Sequence, residues 1–539
     1  MEDIVAKILE RNGPCLSSEV IRVLVTRYKL SEDAARQRIR RRSSKVSSLR
    51  FLSFPRNAKF LYLRSDYGSP DFFDALVKTL RDSSPAYAAA LASLIERGGI
   101  MPRQHFYIAC GAPIKQKRQL SAEKIIQALM VERLIEQVDV PGIGECLSYS
   151  RGHVAYFERQ ITEMRTRLII EDLMLRAIKS WARNLAFASY DKFALRGEGN
   201  LPRVGTFAWD LTAPSYLSGL IGRSDPRVIK PGFVTCDVLL GRTVTEAGIQ
   251  PFIRKCQMIR ALKNIGRCMH IFVAEAYAPS AFDALRQIGL IPATPESLFG
   301  TEVAAAFIEL SRTLMQAATI TVDPVKLDWI FRQLGKIEGA AQSLRGALFE
   351  FVVAEMIRKL WPARVTMNHI FRVAGQEVAE VDVVAIVENR RIHFIECKGQ
   401  TPHQTVDDAE VKKWLTKRIP LVRKQALEHP DWKHLEMHFE LWTSGHLSPE
   451  ADAMVAAAKS RKYNIMCRNG ADVSVLANEL QDQSLTKVLR QHFLNHPLSS
   501  AEFLKAVEYG DEFKASSPLA MDSPREPARI LELITLGRG

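Results

Sequence analysis

Alternating apolar and polar residues single out one stretch of this chain, Val378–Gln400, where two segments rich in Val, Ile and Phe flank the polar turn Glu388–Arg391. The pattern predicts two antiparallel strands joined by a tight turn. Three charged side chains interrupt the apolar strands: Asp382, Glu396 and Lys398. Because successive strand side chains alternate faces, Glu396 and Lys398 point the same way, and Asp382 lies opposite or diagonal to Glu396.

The same order of predicted elements occurs twice in the chain. Around the hairpin we expect a helix at 344–361, strands within 380–398, a helix near 408–428, a strand at 437–443, a helix at 448–461 and a strand at 463–468. Upstream, a helical stretch at 154–193 with one break precedes strands at 206–214 and 233–240, a helix at 246–264, a strand at 270–276, a helix at 280–288 and a strand at 290–293. This recurrence favours a duplication, although an unrelated α/β domain would also show helix–strand alternation.

An alignment of the two copies by eye places Asp210 on Asp382 and Thr235-Cys236-Asp237 on Glu396-Cys397-Lys398. Glu171 in the long helical stretch is the counterpart of Glu350. On this alignment the first copy keeps one acid and lacks the Glu and the Lys. We therefore expect the first copy to be a degenerate form of the second, without the chemistry that Asp382, Glu396 and Lys398 support. A separate acidic site formed by Asp210 and Asp237 is the weaker alternative.

Residues 1–66 predict a winged helix, with a first helix at 4–11. A second helix runs through Tyr28 with Ser17 or Ser18 as its expected cap, and a third begins with Ser31 as its expected cap. A hairpin at Leu49–Leu63 would form the wing, with its turn at 55–57. The third helix is crowded with arginines, and the wing adds two cations. The residues expected to contact DNA are Arg36, Arg38, Arg40, Arg41, Arg56 and Lys59. A solvated basic face or a protein contact is the alternative.

Residues 70–150 repeat this plan with a weaker basic signal. We expect helices at 86–97, from Pro102 and from Ser121, and a wing at 134–149 with its turn at 141–144. This second winged helix could equally serve dimerisation or packing. Residues 301–340 are predicted as a helical linker, and residues 471–539 as a helical extension and a tail.

Composition sets limits on the class of protein. The chain has 539 residues, enough for three or four domains, a net charge of +14 and a pI near 9.4. This charge favours a polyanionic partner, nucleic acid before an acidic membrane. The eight cysteines are scattered without a CxxC pair, which fits a reducing compartment. Neither a signal peptide nor an apolar run of about 20 residues is present, so we expect a cytoplasmic protein.

The acids and the lysine of the hairpin carry a family resemblance. Glu380-Val381-Asp382 followed by Glu396-Cys397-Lys398 resembles the D…(D/E)xK signature of the PD-(D/E)XK, or restriction endonuclease-like, nucleases. That family carries an acidic residue on the preceding helix, and Glu350 fits this role. One departure is that Val381 stands where the signature has Pro. The resemblance covers about 342–469, so a nuclease domain is expected at 341–470 and its degenerate copy at 154–300.

The resemblance implies a metal-dependent endonuclease acting on DNA. Mg²⁺ (or Mn²⁺) would be held by Asp382, Glu396, the backbone carbonyl of Cys397 and Glu350. Lys398 would orient the attacking water or stabilise charge at the phosphate, and Glu380 would be an outer partner of the site. The candidate catalytic residues are thus Asp382, Glu396, Lys398 and Glu350.

The helix after Lys398 is basic, and Lys412 and Lys413 are candidates for contact with the DNA backbone; a solvated face paired with nearby acids is an equal alternative. Of the histidines near the hairpin, His403 is the one worth testing. The sequence therefore predicts a multidomain α/β protein with an α+β N-terminal part: tandem winged helices, a degenerate copy and an intact nuclease domain. Defence against foreign DNA or repair, a homodimer and double-stranded DNA as partner fit this interpretation; a non-catalytic DNA-binding scaffold or an RNA nuclease are the alternatives.

Overall fold

The computed structural model describes residues 3–494 apart from 50, 51, 53, 118, 150–153, 190, 226, 227, 263, 317–322, 336, 338, 339, 374, 375, 402, 403 and 460–462. Its N-terminal module places three helices around a three-stranded sheet of order β1-β3-β2. The elements are α1 (Ile4–Asn12), β1 (Cys15–Leu16), α2 (Ser17–Tyr28), α3 (Glu32–Arg40), β2 (Val46–Ser48) and β3 (Phe60–Leu63). The hairpin expected from Leu49 thus begins earlier, at Val46, and β1 was not expected.

Two serines lie at the starts of helices in this module and play different roles. The hydroxyl of Ser31 accepts the backbone N–H of Ala34 at 3.3 Å, as the sequence predicts for the cap of α3. Ser17 behaves differently: it is the first residue of α2, and its hydroxyl accepts the N–H of Lys59 at 3.0 Å. Ser17 therefore ties the start of α2 to the sheet instead of capping the helix.

A second module contains four helices and a sheet of order β4-β6-β5. Its elements are α4 (Pro70–Ser83), α5 (Pro85–Glu96), β4 (Ile100–Pro102), α6 (Arg103–Ala109), α7 (Ala122–Val131), β5 (Glu136–Val140) and β6 (Gly144–Ser148). Helix α4 was not expected from the sequence. It buries Phe72 and Leu76 in one core with Phe60 of the N-terminal module, so the two modules pack as a single body.

The first α/β unit follows, opened by one continuous helix of 31 residues where a break was predicted. Its elements are α8 (Val154–Asn184), β7 (Ala194–Leu195), β8 (Arg203–Val204), β9 (Phe207–Ala208), β10 (Leu211–Ser215), β11 (Gly222–Asp225), β12 (Val228–Lys230), β13 (Gly232–Val244), α9 (Glu246–Arg260), β14 (Cys268–Tyr277), α10 (Pro279–Gln287), β15 (Ile291–Ala293), α11 (Pro295–Phe299) and α12 (Thr301–Gln316). Helix α13 (Pro324–Leu334) connects it to the next unit.

The second α/β unit contains the hairpin that dominates the sequence pattern. Its elements are α14 (Ala340–Leu360), β16 (Ala363–Val373), β17 (Gln376–Val387), β18 (Arg391–Lys398), α15 (Asp408–Lys413), a π-helical turn (Trp414–Arg418), α16 (Ile419–Glu428), β19 (Glu436–Thr443), α17 (Pro449–Lys459), β20 (Asn464–Arg468), α18 (Gly470–Glu479), α19 (Gln483–Val488) and a second π-helical turn (Leu489–Leu494). Strand β16 is an addition to the predicted elements. The tail beyond 494 lies outside the described residues.

The main sheets of the two units have the same topology. The first has the order β7-β10-β13-β14-β15 and the second β16-β17-β18-β19-β20. In both, the first two pairings are antiparallel and the last two are parallel. In both, a long helix precedes the sheet and further helices connect the parallel strands. The recurrence predicted from the sequence is therefore present as two sheets with matching strand order and direction.

One hydrophobic core spans both α/β units. It joins Leu173 of α8 to Leu348 of α14, and the helices between the units contribute Leu310 and Phe331. Segment 301–340, predicted as a linker, is therefore part of the packing that holds the units together. Separate cores cover the far faces of the two sheets. Among the described helices, none combines the length and apolar character needed to cross a bilayer.

Candidate active site

The β17–β18 hairpin brings Asp382 next to Glu396. The two strands pair with Val383 opposite Ile395, so the residues one step further out, Asp382 and Glu396, face each other across the strands. The backbone ladder ends there, and Asp382 Oδ2 accepts the N–H of Cys397 at 2.7 Å instead. The carboxylate of Asp382 is thus fixed to the neighbouring strand by a main-chain donor.

Glu396 and Lys398 lie on the same face of β18, as strand alternation predicts. Lys398 Nζ is 2.9 Å from Glu396 Oε1. The same oxygen also pairs with the guanidinium of Arg418, the last residue of the first π-helical turn. Such turns are frequent at functional sites because they shift side chains out of the regular helical positions. Arg418 is a site residue that the sequence reasoning missed.

Helix α14 supplies the third acid, Glu350, and packs tightly against the end of β18. A Cβ added to Gly399 would lie 2.1 Å from the carbonyl oxygen of Arg345, so only glycine permits this approach. The contact places the end of β18, with Lys398, directly against the helix that carries Glu350.

Charges in this site influence one another strongly. Burial, reinforced by the Glu396 carboxylate, raises the pKa of Asp382 to about 7. Burial also raises the pKa of Glu350 well above its ordinary value, and Asp382 and Glu396 add to this. For Lys398, burial opposes the charged form, but Glu396 and Asp382 outweigh it and raise the pKa of the ammonium. Lys398 therefore stays protonated and is suited to holding or orienting an anion.

A cavity of about 330 Å³ lies over these residues. Four carboxylates and three cations line it: Glu350, Glu380, Asp382, Glu396, Arg165, Lys398 and Arg418. Two other parts of the chain form the opposite wall, namely the β5–β6 turn and the N-terminal half of α8. Arg165 of α8 forms an ion pair with Glu380 and donates to the carbonyl of Pro141 at 2.8 Å. No sequence signal marked Arg165, because its role depends on packing between distant segments.

The carboxylates are compatible with a divalent cation. Within the described residues, however, no group of three or more His, Cys, Asp or Glu side chains is already arranged as a complete set of metal ligands. Mg²⁺ is commonly held by one or two carboxylates, with water and substrate oxygens completing its shell. Burial raises the pKa values of Asp382 and Glu350, and a bound divalent cation would favour the charged forms of both carboxylates. The donor set therefore fits a hard cation bound together with an anionic substrate.

The corresponding place in the first α/β unit is also acidic, and here the predicted alignment is wrong by two positions. Leu211 of β10 pairs with Cys236, and Asp210 Oδ2 accepts the N–H of Val238 at 2.7 Å. By this register Asp237, and not Thr235, corresponds to Glu396. The position of Lys398 is occupied by Leu239, so the first unit keeps the acids and lacks the lysine.

In this first centre each acid meets a buried cation. Arg196 donates to Asp210 at 2.8 Å and to Glu171 at 2.5 Å. Lys255 pairs with Asp237 and also donates to two backbone carbonyls at 3.0 Å. All five side chains are at most 6% exposed. The acids of the first centre are therefore fully engaged inside the protein.

The cations predicted to contact DNA are distributed over two surfaces. On the N-terminal module, Arg36 and Arg40 are exposed on α3, Arg38 is half-buried on the same helix, Arg41 caps its end, and Arg56 and Lys59 lie near the turn before β3. Arg36 also pairs with Glu32 at 2.6 Å. On the second unit, Lys412 and Lys413 are exposed on α15, and Lys413 lies 3.9 Å from Glu410.

The histidines near the hairpin have structural surroundings. His393 is buried and its Nδ1 lies 2.6 Å from Glu440. His369 packs on Phe371 and Trp432. His403 lies outside the described residues. None of the described histidines lines the cavity over Asp382.

Comparisons with known proteins add little. No family model and no curated protein matches the sequence. Among solved structures, the restriction endonuclease FokI is similar at 10% identity, covering 88% of this chain and 82% of that chain, with a TM-score of 0.21. Protein VC1899 from Vibrio cholerae is similar at 12% identity, covering 46% of this chain and 82% of that chain, with a TM-score of 0.19. TM-scores of 0.21 and 0.19 are too low to establish a shared fold.

Proposed function

We propose that this protein is a metal-dependent nuclease that hydrolyses DNA phosphodiester bonds at the centre formed by Glu350, Asp382, Glu396 and Lys398. The observation that supports this most is their convergence in one cavity at the end of a central strand. The order of an acid on a helix, an acid on one strand, and an acid and a lysine on the next resembles the PD-(D/E)XK nucleases.

The side chains can perform the tasks that such a reaction requires. Asp382 and Glu396, with Glu350, would hold Mg²⁺, which when bound polarises the phosphate and activates water. Lys398, kept protonated by its two acidic neighbours, is placed to orient that water or to stabilise charge at the phosphate. Arg418 keeps Glu396 in place through its ion pair. The buried wall of the cavity limits the access of bulk water to these groups.

The decisive test is cleavage of supercoiled plasmid in MgCl₂ or MnCl₂ by the purified protein and its variants. Asp382→Asn and Lys398→Met should each lower the rate by about 100-fold or more, the usual cost of losing a group that acts in the transition state. Asp210→Asn is the matched control, because Asp210 occupies the equivalent strand position in the first unit. The proposal fails if the wild-type protein cuts neither this plasmid nor single-stranded DNA, or if all four proteins cut alike while folded by circular dichroism.

We further propose that the N-terminal module binds the DNA backbone through α3. Replacing Arg38, Arg40 and Arg41 with Ala removes three cations from one end of this helix. For each phosphate that is no longer neutralised, the slope of log affinity against log salt should become shallower by about 0.9. Fluorescence anisotropy with a labelled duplex at several salt concentrations measures this slope, with Lys78→Ala on α4 as the control. An unchanged slope would remove α3 from the DNA interface.

A further inference from the structure

The candidate centre is covered by a wall that belongs to other parts of the chain. The β5–β6 turn contributes Pro141, Gly142 and Ile143 to the cavity. Helix α8 contributes five residues within two turns: Thr162, Arg165, Thr166, Leu168 and Ile169. The centre therefore lies between the second α/β unit on one side and, on the other, the β5–β6 turn of the second module together with α8 of the first α/β unit.

This wall is fixed in place by polar contacts. The guanidinium of Arg165 connects three segments, since it pairs with Glu380 of β17 and donates to the carbonyl of Pro141 in the turn. Both partners are largely buried, with 21% of the Arg165 side chain and 14% of Glu380 exposed. A partly buried ion pair with a further hydrogen bond resists separation more than an exposed one does.

Apolar packing fixes the wall as well. Ile370 of β16 packs against a cluster that contains Ile161 and Met164 of α8 and Val140 of β5. The C-terminal half of α8 lies in the core shared by both α/β units. Lifting the wall away from the centre would expose both clusters to water. These contacts make the wall a fixed part of the cavity.

The size of the cavity limits what can enter it. Its volume of 330 Å³ is at the lower end of the range of roughly 300–1,000 Å³ for small-molecule pockets. A pocket of this size accommodates a group of about the size of one nucleotide. Beside Asp382 the wall and β17 are in direct contact through the Arg165–Glu380 ion pair, so the gap there is too narrow for the two paired strands of a duplex to enter together.

The exposed rim of the cavity is basic. The side chains of Lys398 and Arg418 line the cavity and are 28% and 22% exposed. Three lysines lie exposed nearby in the chain, on α15 and the first π-helical turn: Lys412, Lys413 and Lys417. Glu410 of α15 lies 3.9 Å from both Lys398 and Lys413, so the cations outnumber the acid on this surface. A row of cations leading to a narrow pocket suits the phosphates of a single strand, which such grooves bind without reading its sequence.

We propose that the nuclease centre takes its substrate as a single strand, and that its preferred DNA is a duplex with a single-stranded arm. This rests on the proposed function and specifies its substrate. The arm passes the lysines of α15 and enters the cavity between β18 and α8, and the duplex part remains outside the wall. Cleavage then falls within the arm or at its junction with the duplex.

Three fluorescently labelled DNAs of one sequence test this with the full-length protein and Mg²⁺: a blunt duplex, a single strand, and a duplex with a single-stranded arm. We expect the armed duplex to be cut at least about tenfold faster than the blunt duplex, since strand separation costs the blunt duplex free energy. Equal rates on the armed and blunt duplexes would overturn this inference and leave the proposed function standing. Failure to cut any of the three would overturn the proposed function itself.

Two variants of the wall, in different segments, test whether the wall sets this preference. Arg165→Ala and Ile143→Ala each widen the cavity, so each should raise the rate on blunt duplex relative to armed duplex. Val131→Ala, at a valine of the second module that is 59% exposed, is the matched control and should leave this ratio unchanged. A ratio that stays at the wild-type value in both folded wall variants would contradict the proposal.

Discussion

In the first α/β unit, Glu171, Asp210 and Asp237 meet Arg196 and Lys255 inside the protein, whereas in the second unit the acids line a cavity. The two sheets share strand order, direction and the hydrogen bond from a strand N–H to the first acid. What differs is the position of the cations. A centre of this kind can therefore be closed without losing its acids, by filling it with cations from its own chain.

Two equivalent cations illustrate this difference. Lys255 on α9 pairs with Asp237 and is buried, while Arg418 after α15 pairs with Glu396 and is partly exposed.

A second pair of positions differs in charge. Arg196 lies opposite Asp210 on the neighbouring strand of the first sheet, and Asn368 takes the matching place in the second sheet, beside Asp382. A neutral, short residue at that position leaves the acids of the second centre open to a ligand.

The largest effect is expected from removing the buried lysine. Lys255→Met leaves Asp237 without its cation at a site that is 2% exposed, which should lower the free energy of unfolding by about 3–5 kcal/mol. Burial, opposed in part by Lys255, already raises the pKa of Asp237 to about 6, so the loss should be greater at pH 8 than at pH 5.5, where the carboxyl can bind a proton.

Arg418→Met is the matched variant in the second centre. Glu396 is buried but keeps Lys398 as a partner at 2.9 Å, so the expected loss is that of one charged hydrogen bond, about 1.5 kcal/mol. Urea unfolding of both variants at the two pH values measures these losses. Equal losses in the two variants would mean that the centres do not differ in the way described.

The next effect concerns activity. Asn368→Arg places in the second centre the residue type that fills the first, and the new guanidinium should pair with Asp382. We expect DNA cleavage to fall by about 100-fold or more, since the acid is then withdrawn from the reaction. Asn368→Gln, which adds length without charge, should cost much less. If Asn368→Arg is folded and cuts at the wild-type rate, occupation by a cation is not what silences such a centre.

The smallest effect is the dependence of metal binding on pH. The pKa of Asp382 is raised to about 7, above its ordinary value. Without metal, the protonated carboxyl therefore contributes to the free energy of unfolding, and this contribution is lost as the pH rises through about 7. At pH 6 a cation must displace this proton, which costs about 1.4 kcal/mol per pH unit below the pKa.

The rise in Tm with added MgCl₂ should therefore be larger at pH 8 than at pH 6, as calorimetry can measure. Asp382→Asn should remove this difference, because the amide has no proton to release. A shift in Tm that is equal at both pH values in the wild-type protein would show that Asp382 does not compete with protons for the cation.

The local pattern of apolar and polar residues is sufficient to predict the β17–β18 hairpin and insufficient to predict the elements that pack around it. The facing positions of Asp382 and Glu396 follow from strand alternation and a short turn, both of which are properties of neighbouring residues. Strand β16 was missed, because its polar residues and its bend at Asn368, where φ is 51°, obscure the alternation. Arg165 could not be found, since only tertiary packing brings α8 over the centre.

The misalignment of the two copies has a similar cause. The alignment that matches Cys236 with Cys397 also places Thr235 on Glu396. The register of the strands is set by main-chain hydrogen bonds, so an identical residue in both strands need not occupy the same position in the two sheets. The apolar run after Asp237 was the available signal. It continues the buried strand directly past the acid, as Cys397 does after Glu396.

Helix α8 has a consequence for how the chain can be divided. Its Glu171 belongs to the first centre, while Arg165, earlier on the same helix, forms the wall of the second. A fragment that begins at α14 would lack this wall and much of the shared core. The first unit therefore cannot be removed, even though its own centre is closed. The second unit depends on it for part of its core and for one wall of its cavity, so the two units have to be expressed and engineered together.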